Sequence, residues 1–127
     1  MSTQTLHAYV GVLEDFKERF NANPRAKKLV VGWNRMILLE ALDTQSRHTL
    51  TICDEILSEV RDATDDKSSV DADEVVHLQA EQQVLREIFS GKYNPATALT
   101  DGVLAVFSKE RDKVKLEALA MVIWRLG

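Results

Sequence analysis

The run Ile88-Phe89-Ser90-Gly91-Lys92-Tyr93-Asn94-Pro95-Ala96-Thr97-Ala98-Leu99, continued by Asp101-Gly102-Val103-Leu104-Ala105-Val106-Phe107, leaves the backbone few choices. Gly91 closes a helix, because glycine takes the left-handed conformation of a helix end at little cost. Asn94 is a good N-cap for a second helix, and Pro95 suits the first helical position, where its missing N–H is no loss. Thr97 continues the turn and Gly102 stops it. Val103 to Phe107 then reads as a buried strand of β-branched and aromatic residues. One short helix is thus penned between two glycines, with a strand directly after it.

The rest of the chain fits around this run. Leu6, Tyr9, Val10, Leu13, Phe16 and Phe20 recur at three and four residues, an apolar stripe on a first helix capped by Thr3 or Thr5. Asn21-Ala22-Asn23-Pro24 breaks it and starts a short helix, Arg25 to Val31, which Gly32 ends. Trp33 to Leu42, His48 to Cys53 and Ile56 to Arg61 read as strands, joined by turns at 43–46 and at Asp54-Glu55. Connections this short imply an antiparallel meander. In the first strand Ile37 and Leu39 point one way and Met36 and Leu38 the other. That strand is therefore central, covered on both faces or lining a cavity. In the second, Leu50 and Ile52 share one face, with Thr49, Thr51 and Cys53 on the other. The polar run Asp62 to Glu74 reads as a solvated, mobile crossover. It has no mid-loop glycine, and no acid pattern at alternate positions leads to a closing Glu as in a calcium loop. A fourth strand, Val75 to Leu78, follows, then an amphipathic helix over Ala80 to Ser90 carrying Val84, Leu85, Ile88 and Phe89. The last helix starts near Asp112, a fair N-cap, and is apolar almost all round from Leu116 to Leu126.

This succession resembles the sterol carrier protein family (type two), the lipid-transfer domain. The matching residues are Val75 to Leu78, Val84 to Ser90, Gly91-Lys92, Asn94-Pro95, Ala98, Gly102 to Phe107 and Val114 onwards. The order of elements agrees over essentially the full length, residues 1–127 as a single domain. The resemblance implies an α+β fold: a five-stranded sheet (three-strand meander, crossover, two further strands) with helices packed on one face. It implies non-catalytic binding of a fatty acid, acyl thioester or sterol-like body in a cavity between sheet and helices. Met36, Leu38, Phe89, Leu99, Phe107, Met121 and Trp124 are the candidate ligand wall. Such binding draws on burial, since ~14 methylenes withdrawn from water gain about 11 kcal/mol gross, against which ordering costs count. The alternative is a protein-interaction or dimerisation module with the same fold and a filled core, because sterol-carrier-like domains resemble accessory modules in several bacterial enzymes. The chain departs from the family at Ser108-Lys109-Glu110-Arg111, where a glycine is usual between last strand and last helix.

Composition narrows the classes further. A chain of 127 residues with 45% hydrophobic and 28% charged residues is an ordinary globule able to bury roughly two thirds of its unfolded surface. A net charge of −4 argues against a nucleic-acid binder. The one cysteine, Cys53, excludes an intrachain disulfide and reads as a small buried hydrophobe in a reducing cytosol. The N-terminus lacks a secretion signal, no apolar run reaches a membrane span, and Arg125-Leu126-Gly127 is not the peroxisomal Ser-Lys-Leu. A cytoplasmic protein, bacterial or archaeal, is expected. No glycine-rich phosphate loop, Cys-x-x-Cys pair or zinc-type His-Glu-x-x-His helix is present. His7, His48 and His77 are scattered and read as surface or satisfied groups. Neither enzyme activity, cofactor nor metal is expected. The partner expected is an apolar small molecule or lipid, with room left for a homodimer and for a transient membrane contact.

Overall fold

Tyr9, Leu13, Phe16 and Phe20 turn inward from a first helix, α1 (Thr3–Asn21), and each is almost wholly buried. The computed structural model describes residues 3–63 and 75–123, with side chains over 9–63 and 75–119. Asn21, at the end of α1, grips the edge of the sheet: its amide donates to the Leu57 carbonyl at 3.0 Å and accepts from the Leu57 N–H at 2.8 Å. Asn23 then caps α2 (Pro24–Leu29), accepting from the N–H groups of Arg25 and Ala26, with proline in the first turn.

Three strands follow as an antiparallel meander, β1 (Arg35–Ala41), β2 (Ser46–Cys53) and β3 (Ile56–Asp62). The two-residue turn between β2 and β3 has positive φ at both Asp54 (52°) and Glu55 (71°), the backbone a tight hairpin requires. The crossover after β3 covers 64–74, and the reading of that stretch lies outside the described residues. β4 (Val75–Ala80) returns parallel to β1, pairing Met36 with Val75 through to Ala41 with Ala80. After α3 (Gln82–Phe89) and α4 (Pro95–Thr100), β5 (Ala105–Phe107) pairs antiparallel with β4, and α5 (Glu110–Ile123) follows. The sheet order is β3-β2-β1-β4-β5, so β1 is central as its two-sided apolar content implies. No helix among the described residues is long and apolar enough to cross a membrane.

Alternation sorts the strands into two faces. Ile37, Leu39 and Ala41 of β1 meet Leu50, Ile52, Val76, Leu78 and Ala80 in one core beneath the helices. Met36, Leu38 and Glu40 stand on the opposite face, beside Thr49, Thr51, His77 and Gln79 of the neighbouring strands.

Three expectations are corrected. The last strand begins at Ala105 rather than Val103, because Gly102 takes φ +78° and Val103 N–H bonds the Ala98 carbonyl at 3.1 Å, which keeps it in the turn. Cys53 is exposed, since it ends β2 on the face away from the helices. Leu99 is 45% exposed, and Ala98 takes the buried position on α4. Asp112 does not cap α5, which begins two residues earlier. Its carboxylate is 1% exposed and accepts from Trp33 Nε1 at 2.8 Å and from Arg35 Nε at 3.2 Å. Arg35 also lies over the Trp33 ring, 5.7 Å from its centroid. This group fastens the start of α5 to the start of β1.

Removing that carboxylate leaves an indole N–H and a guanidinium without their acceptor in a largely buried setting. Asp112→Ala is expected to lower the stability of the fold by about 3 kcal/mol in urea melts, with Asp112→Asn losing less because one acceptor remains. Coincident melts for the alanine variant and the parent would show that the cluster contributes nothing.

Candidate functional site

Three short-range signals shape the region between the sheet and the last helices. Gly91 takes φ +88° and ends α3, Asn94 accepts the Ala96 N–H at 2.8 Å to start α4, and Gly102 ends α4 after six residues. Tyr93 donates its hydroxyl to Asp101 at 2.6 Å, closing the loop on itself. Behind it, Arg19 of α1 donates to the Phe89 carbonyl at the end of α3. The Phe16 and Phe89 rings meet edge to face at 4.8 Å. A helix of six residues spans only about 9 Å. It cannot cover the sheet beneath it.

What it leaves is a cavity of about 680 Å³. Its floor and inner walls are apolar: Phe16 and Phe20 of α1, Ile37 of β1, Ile52 of β2, Leu78 of β4, Leu85, Ile88 and Phe89 of α3, with Leu104, Val106, Leu116 and Leu119. Its polar lining residues, Asn94, Thr100, Lys113 and Glu117, belong to α4 with its cap and to α5. The lining residues most open to solvent, Asn94, Ala96, Leu99, Thr100 and Glu117, lie on the same two helices. The cavity therefore opens along the seam between α4 and α5. The chemistry such a site offers is the withdrawal of hydrocarbon from water, with polar groups at its mouth.

Of the residues named from sequence, Phe89 and Leu99 line this cavity. Met36, Leu38 and Phe107 do not: all three stand on the opposite face of the sheet, where Phe107 is 55% exposed and lies 5.7 Å from the His77 ring. Met121 belongs to α5 but its side chain is outside the described residues, as is Trp124 altogether. Ile37, Leu78 and Leu85 were not singled out. Alternation along β1 and β4 and the inner stripe of α3 carry the signal for them, once it is known which sheet face meets the helices.

Two polar groupings lie outside the cavity. On the open sheet face Glu40 accepts from Gln79 at 2.7 Å and lies 3.0 Å from His77 Nε2. The Gln79 amide, followed by His77 and Arg47, holds the Glu40 carboxyl below its ordinary range against an opposing effect of burial. On the helix side His48 is 1% exposed and meets the Tyr9 ring edge-on at 5.1 Å. Among the described residues, neither ring nitrogen of His48 nor the Tyr9 hydroxyl has a hydrogen-bond partner. The expectation that the histidines are surface or satisfied groups is corrected at this position. Burial pushes the Tyr9 phenol far above its ordinary value. It pushes the His48 imidazole down, with the charge of Asp62 opposing. Because His48 and His77 point to opposite faces they do not form one site. No group of three or more potential metal ligands occurs among the described residues.

No protein-family model matches the sequence, and no curated protein matches it. Solved structures do. The crystal structure of sterol carrier protein 2 superposes with a TM-score of 0.61 at 13% identity, covering 90% of this chain and 94% of that one. The palmitated SCP2L2 of Aedes aegypti, solved by NMR, superposes with a TM-score of 0.57 at 16% identity, covering 94% and 95%. A stereoselective inverting sec-alkylsulfatase from Pseudomonas sp. matches at a TM-score of 0.54 and 18% identity over 76% of this chain, which spans only 14% of the sulfatase. The chain has the sterol carrier protein 2 fold.

The His48 geometry fixes the direction of a pH effect. The unfolded chain takes up a proton on an ordinary histidine near about pH 6.5, and the folded state resists it. Stability from neutral His48 is therefore complete above that value and falls as pH drops through it toward the lowered folded pKa. His48→Leu is expected to flatten the fall in urea midpoint between about pH 7.5 and about pH 5.5. An unchanged slope in the variant would place the acid sensitivity elsewhere.

Proposed function

We propose that this protein carries a lipid or another apolar small molecule in the cavity beneath α4 and α5, without performing chemistry on it. The observation that carries the reading is the cavity itself: about 680 Å³, open along the seam and otherwise walled by aliphatic and aromatic side chains from the sheet and four helices, with polar groups confined to the seam. A volume of about 680 Å³ lies within the range of small-molecule sites, about 300–1,000 Å³. The fold supports the reading by analogy, one of its structural neighbours being a palmitated protein.

Met121, on α5, and Trp124, just beyond it in sequence, enter this reading as proposed wall residues, because Leu116 and Leu119 already line the cavity and the sequence after them stays apolar. Trp33 is the internal control. It is bound to Asp112 and does not line the cavity.

Native mass spectrometry and tryptophan emission test the proposal together. A long-chain fatty acid is expected to give a saturable emission change that survives Trp33→Phe and disappears in Trp124→Phe. Leu99→Glu, at an exposed position on the cavity rim, is expected to weaken binding by more than about tenfold through a charge set against buried hydrocarbon. Val114→Glu, on an exposed position of α5 outside the lining, leaves it unchanged. Absence of any saturable signal, with Leu99→Glu altering the oligomeric state instead, would replace carriage with an interaction module.

A further inference from the structure

Among the described residues Lys113 is the single cation that lines the cavity, and it stands at the seam between α4 and α5. Its side chain is 43% exposed, and its ammonium lies 4.0 Å from a Glu110 carboxylate that is itself 92% exposed, a pairing at the limit of contact. The other acid in the first turn of α5, Asp112, is turned away and held by Trp33 and Arg35. Lys113 is thus a cation one turn from the start of a helix, where the exposed peptide N–H groups favour negative charge. Its charge meets an apolar cavity on one side and water on the other. Glu117 lies one turn further along the same wall.

We propose that Lys113 is the head-group residue of the cavity and selects an amphiphile ending in a carboxylate. The tail lies against Phe16, Ile37, Leu78 and Leu85, and the carboxylate stays at the seam on the Lys113 side. Glu117 repels it and keeps it from lying along the rest of α5. Asn94 and Thr100, across the seam, take hydrogen bonds from or give them to any polar head and do not distinguish charge. The assignment deepens the carrier reading and rests on it.

Calorimetric titration of the full chain with decanoate and with decanol, equal in length and different in charge, separates the two levels. Decanoate is expected to bind about fivefold to tenfold tighter than decanol at low salt, the preference shrinking as salt is added. Lys113→Met is expected to abolish the preference by weakening decanoate alone. Glu117→Gln is expected to strengthen decanoate and leave decanol unchanged. Equal affinity of the parent for both probes overturns the role of Lys113 while leaving carriage intact, and so does a Lys113→Met protein that still prefers decanoate. Failure of both probes to bind overturns the carrier reading itself.

Discussion

Everything in this structure follows from the parallel pairing of β1 with β4. Two parallel neighbours cannot be joined by a hairpin, so the chain leaves the meander at β3, crosses, and returns on the far side of β1. That path places β1 in the middle of the sheet, with Ile37 and Leu39 buried at the centre of the core. The long α1 lies over the meander side and is pinned at its end by Asn21 to Leu57. Beside it α3 packs against α1 and β1, while α5 packs against α2 and is tied to the start of β1 through Asp112. The cavity lies between these helices and the sheet, where the short α4 does not close it.

Packing and polar satisfaction divide the work on the two sheet faces. The helix side gathers large apolar side chains, each contributing about 1.5–3 kcal/mol on burial. The other face carries polar pairs, Glu40 with Gln79 and His77, beside the buried Leu38 and Thr49. His48 breaks this division. It sits on the apolar side against Tyr9, where burial disfavours its charged form.

The turn chemistry of the chain was legible because it is local. Gly91, Asn94, Pro95 and Gly102 each specify a backbone state whatever lies around them, and the short α4 followed directly. The cavity wall was less so. β1 is apolar on both faces, so alternation alone cannot say whether Leu38 or Leu39 meets the helices. The register does, by setting Leu39 opposite His48 and Leu38 opposite Thr49. His48 shares its parity with Leu50 and Ile52, which was a sign of burial. Phe107 reads as a core aromatic, yet its pairing with His77 on a three-residue edge strand turns it to the open face. Asp112 reads as a cap because capping is a local tendency. Its real partners, Trp33 and Arg35, are more than seventy residues away, and no local pattern points to them.

The Asp112 cluster also sets how α5 can move. A helix fastened by a buried carboxylate at one end behaves as a lever with its fulcrum there. Leu119 lies seven residues beyond Asp112, about 10 Å along the axis, so a tilt of about 10° carries it roughly 2 Å while Lys113 hardly shifts. Widening of the seam is therefore graded along the helix, greatest at the apolar end and least beside the lysine. In the proposed carrier the yielding wall is the one that faces the hydrocarbon, and the charge assigned to the head group stays in place.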